Sequence, residues 1–155
     1  MADYQISARS TREIRVGQQE ETVGTFHRGR WIQNMAGEIG GEGFKMKLPA
    51  PWRGMRYRLE QDGRELANAA RPAVKRRMVT YDLEMPGRRL RLASTDADGL
   101  VYVLFEGGEE LGRYTQRSFG EHDAWTGDFR GREASPALAA FVAWLVLEAR
   151  PLHHS

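Results

Sequence analysis

Residues 137–147 form an unbroken run of eleven apolar, uncharged residues near the C-terminal end of the sequence. A surface helix carries a polar face, and this run has none, so the segment must be enclosed on all sides. A membrane-spanning helix needs about 20 such residues, whereas a run of about 10 to 14 is more typical of a buried core helix. The run therefore predicts a short helix in the middle of the fold.

Both ends of this helix carry sequence signals. Ser135 suits the N-cap, and Pro136 suits the first helical position, where its missing N–H group costs nothing. Arg150 would lie in the last turn, and Pro151 would stop the helix. We predict a helix over about 136–150.

Before residue 135, apolar and polar residues alternate in short runs about ten residues apart, and turn residues separate the runs. Alternation with a period of two predicts strands that bury one face. About twelve strands are predicted, near 3–9, 12–18, 21–28, 30–38, 43–48, 55–61, 64–70, 76–85, 88–95, 100–106, 110–118 and 122–130.

A helix with its side chains is about 10–12 Å across. Eleven-stranded barrels hold a central helix, so a count near twelve is large enough. We therefore predict a mainly β fold, an antiparallel barrel of about 12 strands that encloses the hydrophobic C-terminal α-helix. The alternative is a sandwich whose helix packs between its sheets and a dimer partner. The predicted domain spans 1–151, and 152–155 is predicted to be a disordered tail.

The 155 residues suit one domain with one core. The absence of cysteine excludes disulfides, thiolate catalysis and iron–sulfur ligation. Residues 1–15 carry five charges and no apolar segment, so no signal peptide is predicted. We expect a cytoplasmic protein, either free or peripheral at a membrane, without a transmembrane segment.

The net charge is only +2, but the charges are unevenly distributed. Residues 1–80 hold 15 Lys and Arg against 9 Asp and Glu, whereas 81–155 hold 8 against 12. No zinc finger or other nucleic-acid motif accompanies the basic residues, so no nucleic-acid partner is expected.

The densest basic segment is 71–91, and it suggests a surface for an anionic ligand. Strand pairing across the turn at Met85–Gly87 would place Arg88 and Arg89 at the opposite end of the hairpin from 75–77. The alternative is a solvated strand face with ion pairs to Asp82 and Glu84. The candidate binding residues are Arg71, Lys75, Arg76, Arg77, Arg88, Arg89 and Arg91.

Two loops resemble fragments of ligand-binding motifs. Residues 37–43, followed by Lys45, contain four glycines and suggest either an anion nest or a simple turn. The segment Asp96–Gly99 resembles part of a calcium loop, but position 107 is glycine where a later acidic ligand is expected. We favour turns at both places, and we predict no metal and no cofactor.

The sequence contains no convincing catalytic group. His122 and Asp123 are adjacent, and neighbouring residues on a strand point to opposite faces, so they would not orient each other. His27 and Ser118 belong to no known catalytic pattern. We therefore predict no catalytic residues. The aromatic residues are predicted to pack in the barrel wall with tyrosine hydroxyls at its rim, and Trp52 to be exposed; they are Trp31, Trp52, Trp125, Tyr57, Tyr81, Tyr102 and Tyr114.

Residues 57–71 have the pattern of a strand, an Asp-Gly turn and a second strand, and 100–114 have the pattern of a second such unit. Residues 125–129, followed by 135–147, have the pattern of a last strand and a core helix. In these three segments the chain resembles the tubby C-terminal-like superfamily, in particular its LURP-one-related branch and more distantly the phospholipid scramblases. The resemblance implies a barrel around a helix and non-enzymatic roles, including phosphoinositide binding and association with membrane lipids. No residue of this sequence matches the lipid-binding residues of that superfamily one for one.

Taken together, these patterns predict a non-enzymatic domain that binds anionic phospholipid or another anionic ligand through its basic surface. The alternative is a protein-interaction module that uses an exposed sheet edge. A third reading, an enzyme with its site at the barrel mouth, requires a polar cavity that a helix-filled barrel leaves little room for.

Overall fold

The computed structural model describes residues 4–10, 13–18, 21–28, 34–48, 56–116, 125–129, 135–149 and 152. Within these residues the chain forms thirteen strands in one antiparallel sheet and one α-helix, α1 (Pro136–Ala149). The strands are β1 (Tyr4–Ser10), β2 (Glu13–Gln18), β3 (Glu21–Arg28), β4 (Met35–Ile39), β5 (Glu42–Lys47), β6 (Tyr57–Gln61), β7 (Arg64–Ala69), β8 (Ala73–Lys75), β9 (Met78–Met85), β10 (Arg88–Ser94), β11 (Val101–Glu106), β12 (Glu109–Gln116) and β13 (Trp125–Phe129). The predicted mainly β class with a C-terminal helix is confirmed.

Each predicted strand overlaps an observed one, and β3 begins and ends where the sequence predicts. The prediction missed β8, because three residues that follow Pro72 are too few to show an alternating pattern. It also began β9 too early, since Arg76 and Arg77 lie in the turn before Met78.

The strand order follows the sequence almost throughout. Consecutive strands pair from β1 to β7 and from β8 to β13. The last strand, β13, also pairs with β1, with Ile6 opposite Gly127. On the other side, β7 pairs with β9 through Asn68 and Ala69.

Strands β7 and β8 lie end to end along the same edge of β9, opposite the edge that pairs with β10. Ala69 is opposite Leu83, the amide of Ala70 donates to the carbonyl oxygen of Asp82 at 3.0 Å, and Ala73 is opposite Thr80. The ladder between β6 and β7 begins at Tyr57 and Ala69. The hairpin of β8 and β9 therefore extends past the described start of β6.

Alternation along the strands places one side chain in two in the core, as the sequence predicts. In β9, Val79, Tyr81 and Leu83 are buried, whereas Asp82 and Glu84 are exposed. The same pattern recurs in other strands, where buried side chains include those of Ile14, Val16, Phe44, Met46, Leu90 and Leu92.

Helix α1 has no exposed face within the described structure: twelve of its fourteen residues are buried. Two hydroxyl groups from distant strands donate to its backbone. The Tyr81 hydroxyl of β9 lies 2.9 Å from the carbonyl oxygen of Leu145, and the Tyr114 hydroxyl of β12 lies 2.8 Å from that of Ala139. The sheet therefore contacts the helix near both of its ends.

The start of α1 is capped as predicted. The amide of Leu138 donates to the Ser135 hydroxyl at 3.2 Å, which satisfies one of the free N–H groups of the first turn. Arg150 and Pro151, the predicted stop signal, lie outside the described residues. In the part of the chain that the structure describes, no helix is long and apolar enough to cross a membrane.

Candidate functional site

The seven predicted binding residues do not form one patch. Arg71 follows β7, and a second group lies at the turn between β8 and β9. A third group lies at the opposite end of β9, where Arg88 is opposite Met85. The second group is Lys75, Arg76 and Arg77, and the third is Arg88, Arg89 and Arg91. This separation is the one that pairing across Met85–Gly87 predicts.

Two of the three arginines in the third group, Arg88 and Arg91, pair with carboxylates. Arg88 donates two hydrogen bonds to Glu106, from Nε to Oε2 at 2.7 Å and from Nη2 to Oε1 at 2.8 Å. These hydrogen bonds hold the pKa of Glu106 below its usual value. Arg91 Nε lies 3.2 Å from Oδ1 of Asp82. Arg91 therefore makes one of the ion pairs that the alternative interpretation names, to Asp82, whereas Arg88 pairs with Glu106 instead.

The second group lies on a tight turn with an unusual backbone. Lys75 is opposite Met78, so Arg76 and Arg77 form a two-residue loop. Their φ angles are +53° and +65°, which is the type I′ geometry of a β-hairpin. This conformation strongly favours Asn and Gly, because a side chain with a Cβ is crowded there. Two consecutive arginines in this turn therefore carry a cost in stability.

The same turn lacks nearby acidic neighbours in the sequence. No Asp or Glu occurs between Glu65 and Asp82. Lys75, Arg76 and Arg77 are all exposed. Among the described residues, none of these three side chains comes within ion-pair distance of a carboxylate, in contrast to Arg88 and Arg91. We call residues 75–77 the cationic turn.

Two open grooves on the outer face of the sheet carry both signs of charge. One, beside β5 and β6, is lined by Lys45, Lys47, Glu60 and Asp62. Its Lys47 Nζ lies 2.8 Å from Glu60 Oε2, a close ion pair without the direction of a good hydrogen bond. The other, beside β9 and β10, includes Arg56, Arg89, Arg91, Asp82 and Glu84. Neither groove concentrates one sign of charge as the cationic turn does.

A cluster at the C-terminal end of α1 was not predicted from the sequence. Burial raises the pKa of Glu148, whereas Arg28, with Nη2 at 3.8 Å from Oε1, and a hydrogen bond from Trp144 act in the opposite direction. Burial also raises the pKa of Tyr57, whose ring meets that of Trp144 edge-on at 5.6 Å. The cluster joins the end of the helix to β3 and β6.

The two loop motifs are turns. Gly40 and Gly41 connect β4 and β5 in a two-residue hairpin, so residues 37–43 are mainly strand rather than an anion nest. Asp96 uses Oδ1 to accept the amide of Leu100 at 3.0 Å, which closes the loop before β11. No group of three or more metal-binding side chains occurs in the ranges that the structure describes.

Most of the remaining candidate residues lie outside the described part of the chain. His27 is exposed on β3. Ser118, His122, Asp123, Trp31 and Trp52 lie outside the described residues, and the side chain of Trp125 is not described. The prediction that tyrosine hydroxyls lie at a rim is wrong for Tyr81 and Tyr114. Both hydroxyls point inward, because the helix backbone offers carbonyl acceptors in the core.

Comparison with protein-family models, with curated proteins and with solved structures finds no match to this chain.

Proposed function

We propose that this protein is a non-enzymatic domain that binds a phosphate-bearing anionic ligand through the cationic turn. The observation that supports this proposal is the pair of exposed arginines held at positive φ, next to an exposed lysine. Backbone strain that folding alone does not require is often found at functional sites. Arginine suits this role because its planar guanidinium group binds phosphate oxygens in pairs.

The interaction energies of these cations favour a ligand with many negative charges over a single weakly bound anion. Each Lys or Arg near an anionic membrane contributes about 1 kcal/mol. Three adjacent cations thus give about 3 kcal/mol, which is useful for a reversible, salt-sensitive contact. Arg71 lies four residues before Lys75 and adds to the same long-range field.

The sheet is proposed to close into a barrel around α1, as in the tubby C-terminal-like superfamily. The ladders of β13 with β1, of β7 with β9 and of β9 with β10 support this closure. The burial of α1 supports it as well. In such a barrel the helix fills the space that an enzyme would need for a polar cavity, which supports a non-enzymatic role.

The proposal is tested by sedimentation of the protein with vesicles of phosphatidylcholine and phosphatidylserine, and by titration with inorganic polyphosphate. We expect at least one probe to bind and added salt to weaken the binding. The double substitution Arg76→Glu and Arg77→Glu should abolish it. The matched control, Lys45→Glu with Arg64→Glu, makes the same charge change at exposed positions far from the turn. Absence of binding to both probes, or equal loss in the control, would contradict the proposal.

The second candidate is a protein-interaction role through a sheet edge. It is supported by β8, which within the described residues pairs only with β9. A partner strand would add beside Ala73–Lys75. Against it, β8 is very short and carries a lysine, two features that protect sheet edges from pairing. Light scattering over a range of concentrations tests self-association through this edge.

A further inference from the structure

The described residues expose three large apolar side chains: Val74 at 47%, Met78 at 41% and Leu100 at 47%. Val74 and Met78 flank the cationic turn in the sequence, so two of the three belong to the same hairpin. Isolated exposed apolar residues are ordinary on a protein surface. Their concentration at one place on this molecule is therefore the informative feature.

Leu100 lies at the same end of the sheet as the hairpin. The amide of Val79, next to Met78, donates to the Ser94 hydroxyl at 2.8 Å. The amide of Thr95 donates to the carbonyl oxygen of Val101 at 2.9 Å. The start of β9, the end of β10 and the start of β11 are therefore level. We call the end formed by Val74, the cationic turn, Met78 and Leu100 the apolar–cationic end.

We infer that the ligand of the cationic turn is the surface of an anionic phospholipid bilayer, and that Val74, Met78 and Leu100 enter its interfacial layer. This inference rests on the proposed function. A soluble polyanion would engage only the cations and would leave three apolar side chains in water. A bilayer offers phosphates and apolar groups within one thin layer, and binding to it scales with buried apolar area plus electrostatic attraction.

The hairpin geometry suits such a contact. Lys75 and Met78 are a directly opposed pair, and Val74 is opposed to Val79, so Val74 and Met78 lie on opposite faces of the ribbon. Apolar groups therefore flank the turn on both sides. Arginine side chains are long enough to bend back toward the phosphate level while the turn itself sits deeper.

Two carboxylates at the same end reduce its attraction to anionic lipid. Asp96 is partly buried and holds the loop through Leu100, whereas Asp98 is exposed. Their negative charges oppose three cations, so the end keeps only a small positive excess. Removing the charge of Asp98, the exposed carboxylate, should strengthen binding to anionic vesicles. The substitution Asp98→Asn tests whether the binding increases.

The decisive experiment compares two probes on the full chain: vesicles of phosphatidylcholine and phosphatidylserine, and inorganic polyphosphate. Val74→Ser with Met78→Ser should weaken vesicle binding about tenfold, the effect of about 1.4 kcal/mol, and leave polyphosphate binding unchanged. Val74→Ile with Met78→Leu, which keeps the side chains apolar, should retain vesicle binding. Thermal unfolding verifies that each variant is folded.

The outcomes separate this inference from the proposed function. If the serine variant binds vesicles as tightly as the natural chain, or loses both probes equally, the bilayer assignment is wrong while the cationic turn stands. If the natural chain binds neither probe, both proposals fail.

Discussion

The Tyr81 hydroxyl donates a hydrogen bond to the carbonyl oxygen of Leu145, and this contact joins a strand of the sheet to the C-terminal part of a buried helix. Both partners are almost inaccessible to solvent. Tyr114 makes the equivalent contact with Ala139, six residues earlier in the helix. Two widely separated hydroxyls therefore fix both the depth and the rotation of α1 within the sheet.

Tyr81→Phe should lower the free energy of unfolding by about 1 kcal/mol, because one buried hydrogen bond is lost while the ring still fills its space. Tyr114→Phe should have a similar effect. The two substitutions should add to within about 0.5 kcal/mol, since the residues act at different turns of the helix. Urea unfolding measures the free energy of unfolding of the two single variants and the double variant. If neither single substitution changes it, this account of the helix is wrong.

Alkaline pH should destabilise the protein through the same tyrosines. Burial raises the pKa of Tyr81 and of Tyr114 well above the usual value of 10.0. The unfolded chain then loses its phenolic protons at a lower pH than the folded chain. The stabilising contribution of these two tyrosines is therefore fully present below pH 10, and the free energy of unfolding falls as pH rises above it. Urea midpoints between about pH 8 and about pH 11 test this. Tyr114→Phe should make the fall shallower, and an unchanged slope would be inconsistent with it.

Much of this architecture is available from the sequence. The alternation in 78–85 and 88–94 identifies buried strand faces, and the apolar run of 137–147 identifies an enclosed helix. These two patterns are strong because burial affects the choice of residue at every position of the segment. The hydroxyl contacts of Tyr81 and Tyr114 are different, since they depend on which helix turn faces each strand. No local pattern carries that information.

The candidate site was harder to predict. The sequence shows seven basic residues in 71–91, but it does not show that Arg88 meets Glu106, eighteen residues away. The type I′ turn at 76–77 is also hard to recognise in the sequence, because Arg76 and Arg77 stand where such a turn usually has Asn and Gly. The run of three cations flanked by Val74 and Met78 was the one available signal for the apolar–cationic end.

Gly37 should be intolerant of substitution. A Cβ atom there would overlap the carbonyl oxygen of Thr25 and lie 2.6 Å from Cα of Phe26, on the neighbouring strand β3. Gly37→Ala should therefore lower the free energy of unfolding by about 1–3 kcal/mol. Gly43→Ala is the matched control, because its Cβ would meet no atom within 4 Å. Denaturant unfolding should show a change within about 0.5 kcal/mol for the control, and equal effects would refute the close approach.

Glu148 should oppose stability at neutral pH. Burial raises its pKa above 4.5, so the folded chain holds this proton more tightly than the unfolded chain. The stabilising contribution of this proton to the free energy of unfolding is fully present below pH 4.5, and it is lost as pH rises through the pKa of Glu148 in the folded chain. Glu148→Gln should raise the urea midpoint near pH 7 relative to exposed Glu42→Gln, and the difference should disappear near pH 4. A lower midpoint near pH 7 would mean that the Arg28 pair outweighs burial.

The most direct test of the cationic turn replaces its two arginines with the residues that its backbone favours. Arg76→Asn with Arg77→Gly suits a type I′ turn and should raise the free energy of unfolding by about 1 kcal/mol. The same variant should lose binding to vesicles of phosphatidylcholine and phosphatidylserine. Gain of stability together with loss of binding is the predicted result. A variant that is more stable and still binds these vesicles with undiminished affinity would contradict the proposal that the turn keeps its arginines for a ligand.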